Sequence, residues 1–167
     1  MRQIAIALLF TLFSVHCYAA PEKIEVPGSG WSVSFDAPPL SKKQESKNGS
    51  DYAFRANSGR FNLSFFVETP KSDGRSNKDC YNFYWPQSSK NPLISKESVV
   101  MTEANDYVRV QYDVVAQIEG RTVRQRNVNY YVYHNGKWVD VHISLIDPTA
   151  ADDYIFSTFD KSLRLGS

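Results

Sequence analysis

Residues 122–146 read TVRQRNVNYYVYHNGKWVDVHISLI, and the Asn135-Gly136 pair in the middle decides the fold. Asn-Gly is a favoured pair for a two-residue type I′ hairpin loop, because both positions need positive φ. A two-residue loop fixes the register: His134 faces Lys137, Val132 faces Val139, Tyr130 faces Val141 and Val128 faces Ile143. That side is apolar and predicts a core. The other side pairs Tyr133 with Trp138, Tyr131 with Asp140 and Asn129 with His142.

Working toward the N-terminus, Tyr107–Ile118 is a third strand, joined to the hairpin through Glu119-Gly120, and Ser98–Thr102 is a fourth. A strict two-residue loop at Glu119-Gly120 would turn Gln111 and Asp113 onto the apolar side, opposite Val128 and Arg126. An odd loop or a bulge is therefore expected, which moves Val108, Val110, Tyr112 and Val114 to the apolar side. The second side then gathers Arg109, Asn129, Tyr131, Tyr133, Trp138, Asp140 and His142, a candidate binding patch for a partner or ligand. The alternative for the same face is the wetted or partly helix-covered side of an antiparallel sheet.

Earlier in the chain, Trp31, Val33 and Phe35 alternate with polar residues, and Pro38-Pro39 ends that strand. Residues 20–30 read as a lead-in with at most a short strand at Lys23–Val26, and Leu40–Ser50 as a polar, lysine-rich loop. Tyr52–Ala56 and Phe61–Val67 alternate around Asn57-Ser58-Gly59-Arg60 and predict a hairpin; Thr69–Arg75 is a loop. Ser76 with Asp79 matches a helix N-terminal capping pattern. A short helix over Asn77–Trp85 puts Cys80, Phe83 and Tyr84 on one face, and Pro86 is expected to end it. After Asp147-Pro148-Thr149, with Thr149 placed to cap, Ala151, Ile155, Phe159 and Leu163 form an apolar stripe beside Phe156. That stripe predicts a closing amphipathic helix. The fold class is α+β: a mainly antiparallel sheet, a short mid-chain helix and a C-terminal helix.

Met1–Ala19 reads as an export signal. Arg2 supplies the positive start, Ile4–Val15 the apolar run and Cys17-Tyr18-Ala19 the cleavage site. The run is too short for the ~20 residues of a spanning helix, and Ser14-Val15-His16 before Cys17 do not suit a lipid-modified cysteine. The expectation is one domain over residues 20–167, secreted, most simply into a bacterial periplasm, with no stable membrane anchor. The chain carries 19 Lys and Arg against 18 Asp and Glu, and loss of Arg2 balances them. A neutral domain argues against nucleic acid as a partner. The Arg121, Arg124 and Arg126 cluster reads as a solvated hairpin end.

Removal of Cys17 leaves Cys80 alone: buried, paired between chains, or reactive. A Cys80 nucleophile with His142 as base and Asp140 or Asn129 as orienter has the right residue types, yet Asp140 and His142 stand side by side on one strand. His134 and His142 lie on opposite faces, which rules them out as joint metal ligands; no cofactor motif is present, and no catalytic or metal-ligating residue is assigned. Asp152-Asp153 suit the positive end of a helix dipole. Asn48 and Asn62 begin glycosylation sequons, which matter only in a eukaryotic source.

With GWSVSFDAPP at 30–39 and DYIFSTFDKSLRL at 153–165, this order of elements resembles the PsbP-like α/β/α sandwich. The resemblance covers Trp31–Leu165 and is one of layout. It implies a non-catalytic binding or assembly module, and it carries over no site residue. The function expected is an exported module acting on a protein partner. The alternatives are a periplasmic immunity or inhibitor protein against a secreted toxin or hydrolase, and a Cys-dependent enzyme using Cys80.

Overall fold

A computed structural model describes residues 19–166; the stretch Met1–Ala19 that the sequence pattern marks as an expected export signal lies, except for Ala19, outside the described residues. The elements run β1 (Ala20–Glu25), β2 (Ser32–Ala37), β3 (Ser41–Asn48), β4 (Asp51–Ser58), β5 (Phe61–Glu68), α1 (Asn77–Ser88), β6 (Ile94–Glu103), β7 (Val108–Ile118), β8 (Arg121–His134), β9 (Lys137–Ile146), a 3-10 turn (Ala150–Asp152), α2 (Asp153–Ser162) and β10 (Arg164–Gly166). Seven strands form one antiparallel sheet in the order β3-β4-β5-β9-β8-β7-β6, and β1-β2-β10 form a second. The fold is α+β.

The β8–β9 hairpin has the register that Asn135-Gly136 dictates, from His134 opposite Lys137 to Val128 opposite Ile143, with φ of 48° and 76° at the two loop residues. Its apolar side lies in the larger core, where Val128, Tyr130, Val141 and Ile143 are fully buried beneath the small sheet and α2. Phe159 of α2 joins the layers, stacking on Phe35 of β2 at 5.1 Å and meeting Tyr130 at 5.5 Å.

The expected irregularity at Glu119-Gly120 does not occur. The loop has two residues, Ile118 faces Arg121, and Gln111 and Asp113 do face Val128 and Arg126. Polar partners make this arrangement tolerable: Arg109 donates to Asp160 of α2 at 2.8 Å and to Gln111 at 3.0 Å, and Arg126 donates to Asp113 at 3.2 Å. Consequently Val108, Val110 and Tyr112 turn to the opposite face, where they build a second core with Tyr131, Trp138 and Cys80 under α1. The large sheet is therefore packed on both sides.

Other boundaries also differ from expectation; Asn57 and Ser58, expected in the hairpin loop, extend β4 and leave Gly59-Arg60 as the loop. Residues 41–48 form β3, an edge strand exposed on both faces, which needs pairing to β4 but no apolar alternation. Its lysines suit an edge that must not pair further. Residues 20–25 form β1, longer than the short strand expected, along β2. Strand β6 starts at Ile94, four residues earlier than expected, with a register shift between Ser95 and Val100. Pro86 sits inside α1, which runs to Ser88. Proline removes one ladder bond; the helix continues past it, closing with Ser89 N–H to Trp85 O at 2.8 Å, and Gln87 Nε2 adds a bond to Phe83 O at 2.9 Å.

The basic cluster is tied down. Arg121 pairs with Asp147, Arg124 Nη2 donates to Pro148 O at 3.1 Å, and Arg126 reaches Asp153 at 3.1 Å. Asp152 accepts from the Thr149 amide and hydroxyl and pairs with Arg60.

Candidate functional site

The side of the large sheet that meets α1 is covered over half its width. Helix α1 lies across β7, β8 and β9, and leaves β3, β4 and β5 open. Cross-strand registry arranges the polar side chains of this face in rows. One row runs Gln44, Arg55, Ser64, His142, Asn129 from β3 to β8; the next runs Asn57, Asn62, Ser144, Asn127 from β4 to β8. Under the helix the rows are buried, and in the open half they floor a cleft of about 420 Å3. Lys42, Gln44, Arg55, Asn57, Asn62, Ser64, Phe66 and His142 line it.

Polar groups under a helix cost stability unless they are hydrogen-bonded. Here they are. Tyr112 Oη donates to Asn129 Oδ1 at 3.2 Å, Asn129 Nδ2 donates to Asp140 Oδ1 at 2.8 Å, and His142 Nε2 lies 3.0 Å from Asn127 Oδ1. Asn127 Nδ2 donates to Gln125 O at 2.9 Å, and Gln125 Nε2 donates to Ser144 Oγ at 2.8 Å. The network locks the orientation of His142, so the cleft floor is rigid on its helix side.

The seven residues singled out from the sequence divide three ways. Arg109 points to the opposite face, against Asp160 and Tyr130. Tyr131 and Trp138 are 0% and 1% exposed, packed under Tyr81, Phe83 and Tyr84 of α1. Asn129 is buried within the network, while Asp140, His142 and Tyr133 are partly buried; of the seven, only His142 lines the cleft. The polar and aromatic residues that complete it, Lys42, Gln44, Arg55, Asn57, Asn62, Ser64 and Phe66, lie outside the patch that the sequence pattern predicts. Alternation in the β4–β5 hairpin was the available signal, since it puts Arg55, Asn57, Asn62, Ser64 and Phe66 on one polar side.

Cys80 has no exposure, and burial pushes its thiol well above the ordinary range, with the Asp140 charge adding to the effect. It is core, not a nucleophile poised as thiolate. His134 and His142 project to opposite faces, as the register requires.

Burial pushes Asp140 up to about 6, with Asn129 opposing and Glu68 adding, and burial lowers His142 to about 4. The two act on stability in opposite directions. A raised carboxyl holds its proton longer when folded, so its contribution falls as pH rises from about 4 to 6; a depressed imidazole contributes stability that is lost as pH falls from 6.5 to 4. Each effect is roughly 3 kcal/mol, so they largely cancel. Relative to wild type, Asp140→Asn is expected to lose stability on acidification across this window, and His142→Asn to gain it. Urea unfolding midpoints at pH 4.5 and pH 7 measure both; parallel profiles in all three proteins would contradict this electrostatic account.

The fold defines an α+β sheet protein with one half-open polar face. No protein-family model and no curated protein matches the sequence. Among solved structures the chain is similar to a protein of Bacteroides thetaiotaomicron, at 14% identity and a TM-score of 0.46, over 87% of this chain and 48% of that one. It thus spans about half the length of that protein. It is also similar to LpqN, involved in cell envelope biogenesis of Mycobacterium tuberculosis, at 13% identity and a TM-score of 0.45, over 89% of this chain and 86% of that one. Among the described residues no helix is long and apolar enough to cross a membrane.

Proposed function

We propose that this protein is an exported, non-catalytic binding or assembly module, a single domain over residues 20–167 that engages a protein partner outside the cytoplasm through the open half of its sheet. One observation carries the reading: α1 covers β7–β9 and leaves a polar cleft over β3–β5 whose floor is braced by a hydrogen-bonded network. A rigid concave surface with aligned donors and one half-buried aromatic, Phe66, is suited to recognition. The leader at Met1–Ala19 supports a periplasmic location, and the PsbP-like layout of the sequence supports a binding role. An immunity or inhibitor protein is the same reading with a toxin or hydrolase as the partner.

Affinity capture from the producing cell's extracytoplasmic extract tests it. Wild type is expected to retain a defined protein that Arg55→Glu and Phe66→Ala lose by about tenfold or more. Arg55 is exposed, so its variant is expected to melt with wild type. Equal capture by all three proteins would contradict the cleft as the binding face.

A further inference from the structure

The cleft is cationic as well as polar. Its lining contains Lys42 and Arg55 but no carboxylate. Among the described residues neither cation has an ion pair, whereas Arg60, Arg109, Arg121 and Arg126 are each matched to an aspartate. Arg55 lies over the Phe66 ring, 5.5 Å from its centroid. That contact positions the guanidinium without satisfying its N–H fork. Asp140, in the adjoining row beside Phe66, is engaged by Asn129 and is not part of the lining.

Lys42 adds an independent observation. Strand β3 slips register against β4 between Ser41 and Gln44, and Lys42 takes φ 48° there. The left-handed conformation at a bulge is ordinarily given to glycine, and a lysine side chain makes it costly. The bulge sends consecutive lysines in different directions: Lys43 pairs with Glu22 of β1 at 2.8 Å, while Lys42 joins the cleft. Backbone strain held at the rim of a cleft is characteristic of sites that bind.

We propose that the cleft receives an acidic, extended peptide segment of the partner, with its carboxylates taken by Arg55 and Lys42 and its polar backbone by the amides of Asn57 and Asn62. This deepens the partner reading above and rests on it. The cleft is a strip along a sheet rather than an enclosed cavity, which fits an extended chain, and Arg with Lys on an amide-lined floor is a recurring way to hold acidic segments.

Fluorescence anisotropy with a fluorescein-labelled hexaglutamate peptide and the purified protein tests this. Saturable binding that weakens with salt is expected, and Arg55→Gln should weaken it about tenfold, with Arg55→Lys retaining part. Lys42→Gly should weaken it similarly while raising Tm by about 2–4 °C, because glycine accepts the left-handed conformation. A purely structural lysine would not give loss of binding together with gain of stability. Absence of hexaglutamate binding overturns the proposal, as does binding that neither variant weakens, or binding of a trigalacturonate probe in its place. If hexaglutamate fails while the cleft variants still lose the captured protein, the acidic-peptide inference falls and the partner reading stands. If hexaglutamate binds at the cleft but capture ignores the variants, the cleft is a peptide site and the partner reading falls.

Discussion

Trp138→Ala is expected to destabilise the protein by about 3–5 kcal/mol, the range for removing a buried aromatic. Trp138 is 1% exposed and sits under α1, with its ring 5.2 Å from Phe83 and 6.0 Å from Tyr84. Those contacts are part of what holds the helix to the sheet. Truncation leaves a cavity between layers and frees α1 to lift from Tyr131, so hydrogen exchange in α1 should accelerate along with the global loss. Urea unfolding measures the first effect and amide exchange the second. A loss below about 1 kcal/mol would mean that α1 does not depend on this face.

Asp160→Ala is expected to cost about 3 kcal/mol. The carboxylate accepts from Arg109 Nε at 2.8 Å and from the Tyr130 hydroxyl at 2.5 Å. Tyr130 has no exposure, and the Arg109 side chain is 14% exposed, so both donors would be left unsatisfied in a poorly hydrated place. The double variant Arg109→Met, Asp160→Leu removes the charge and its partner together and should recover much of the loss, although the Tyr130 hydroxyl stays unpaired. Thermal and urea unfolding of the single and double variants form the comparison. A single variant within 0.5 kcal/mol of wild type would show that the pair does not fasten α2 to the sheet.

Trp138 and Arg109, the residue that Asp160 holds, are grouped on one face by the sequence pattern, and the structure separates them for a physical reason. The β8–β9 register is legible because Asn135-Gly136 sets it locally. The face of β7 is not, because its polar residues are accommodated by Asp160 and Asp153 of α2 and by Arg126, and no local pattern announces that these will meet. By alternation alone Gln111 and Asp113 are misfits, so the pattern predicts a bulge that does not form and puts Arg109 on the α1 side rather than against Asp160. Strand β3 was invisible because an edge strand exposed on both faces needs no apolar alternation. The cleft was half legible: hairpin alternation aligns Arg55, Asn57, Asn62 and Ser64, but the β5–β9 pairing that brings them beside His142 joins distant parts of the chain. Lys42 could not be found from sequence, since its place depends on a bulge in a strand that the composition presents as a loop.

The open half of the sheet as the partner-binding face is the claim on which the functional account rests. Its most direct test is site-specific photocrosslinking in the producing cell, with a benzophenone side chain at Asn62 in the cleft and, in a second protein, at Val100 on the far edge strand, which is 52% exposed. The account predicts a discrete heavier species from Asn62 that Arg55→Glu abolishes, and none from Val100. A crosslinked partner from Val100 with none from Asn62 would contradict it.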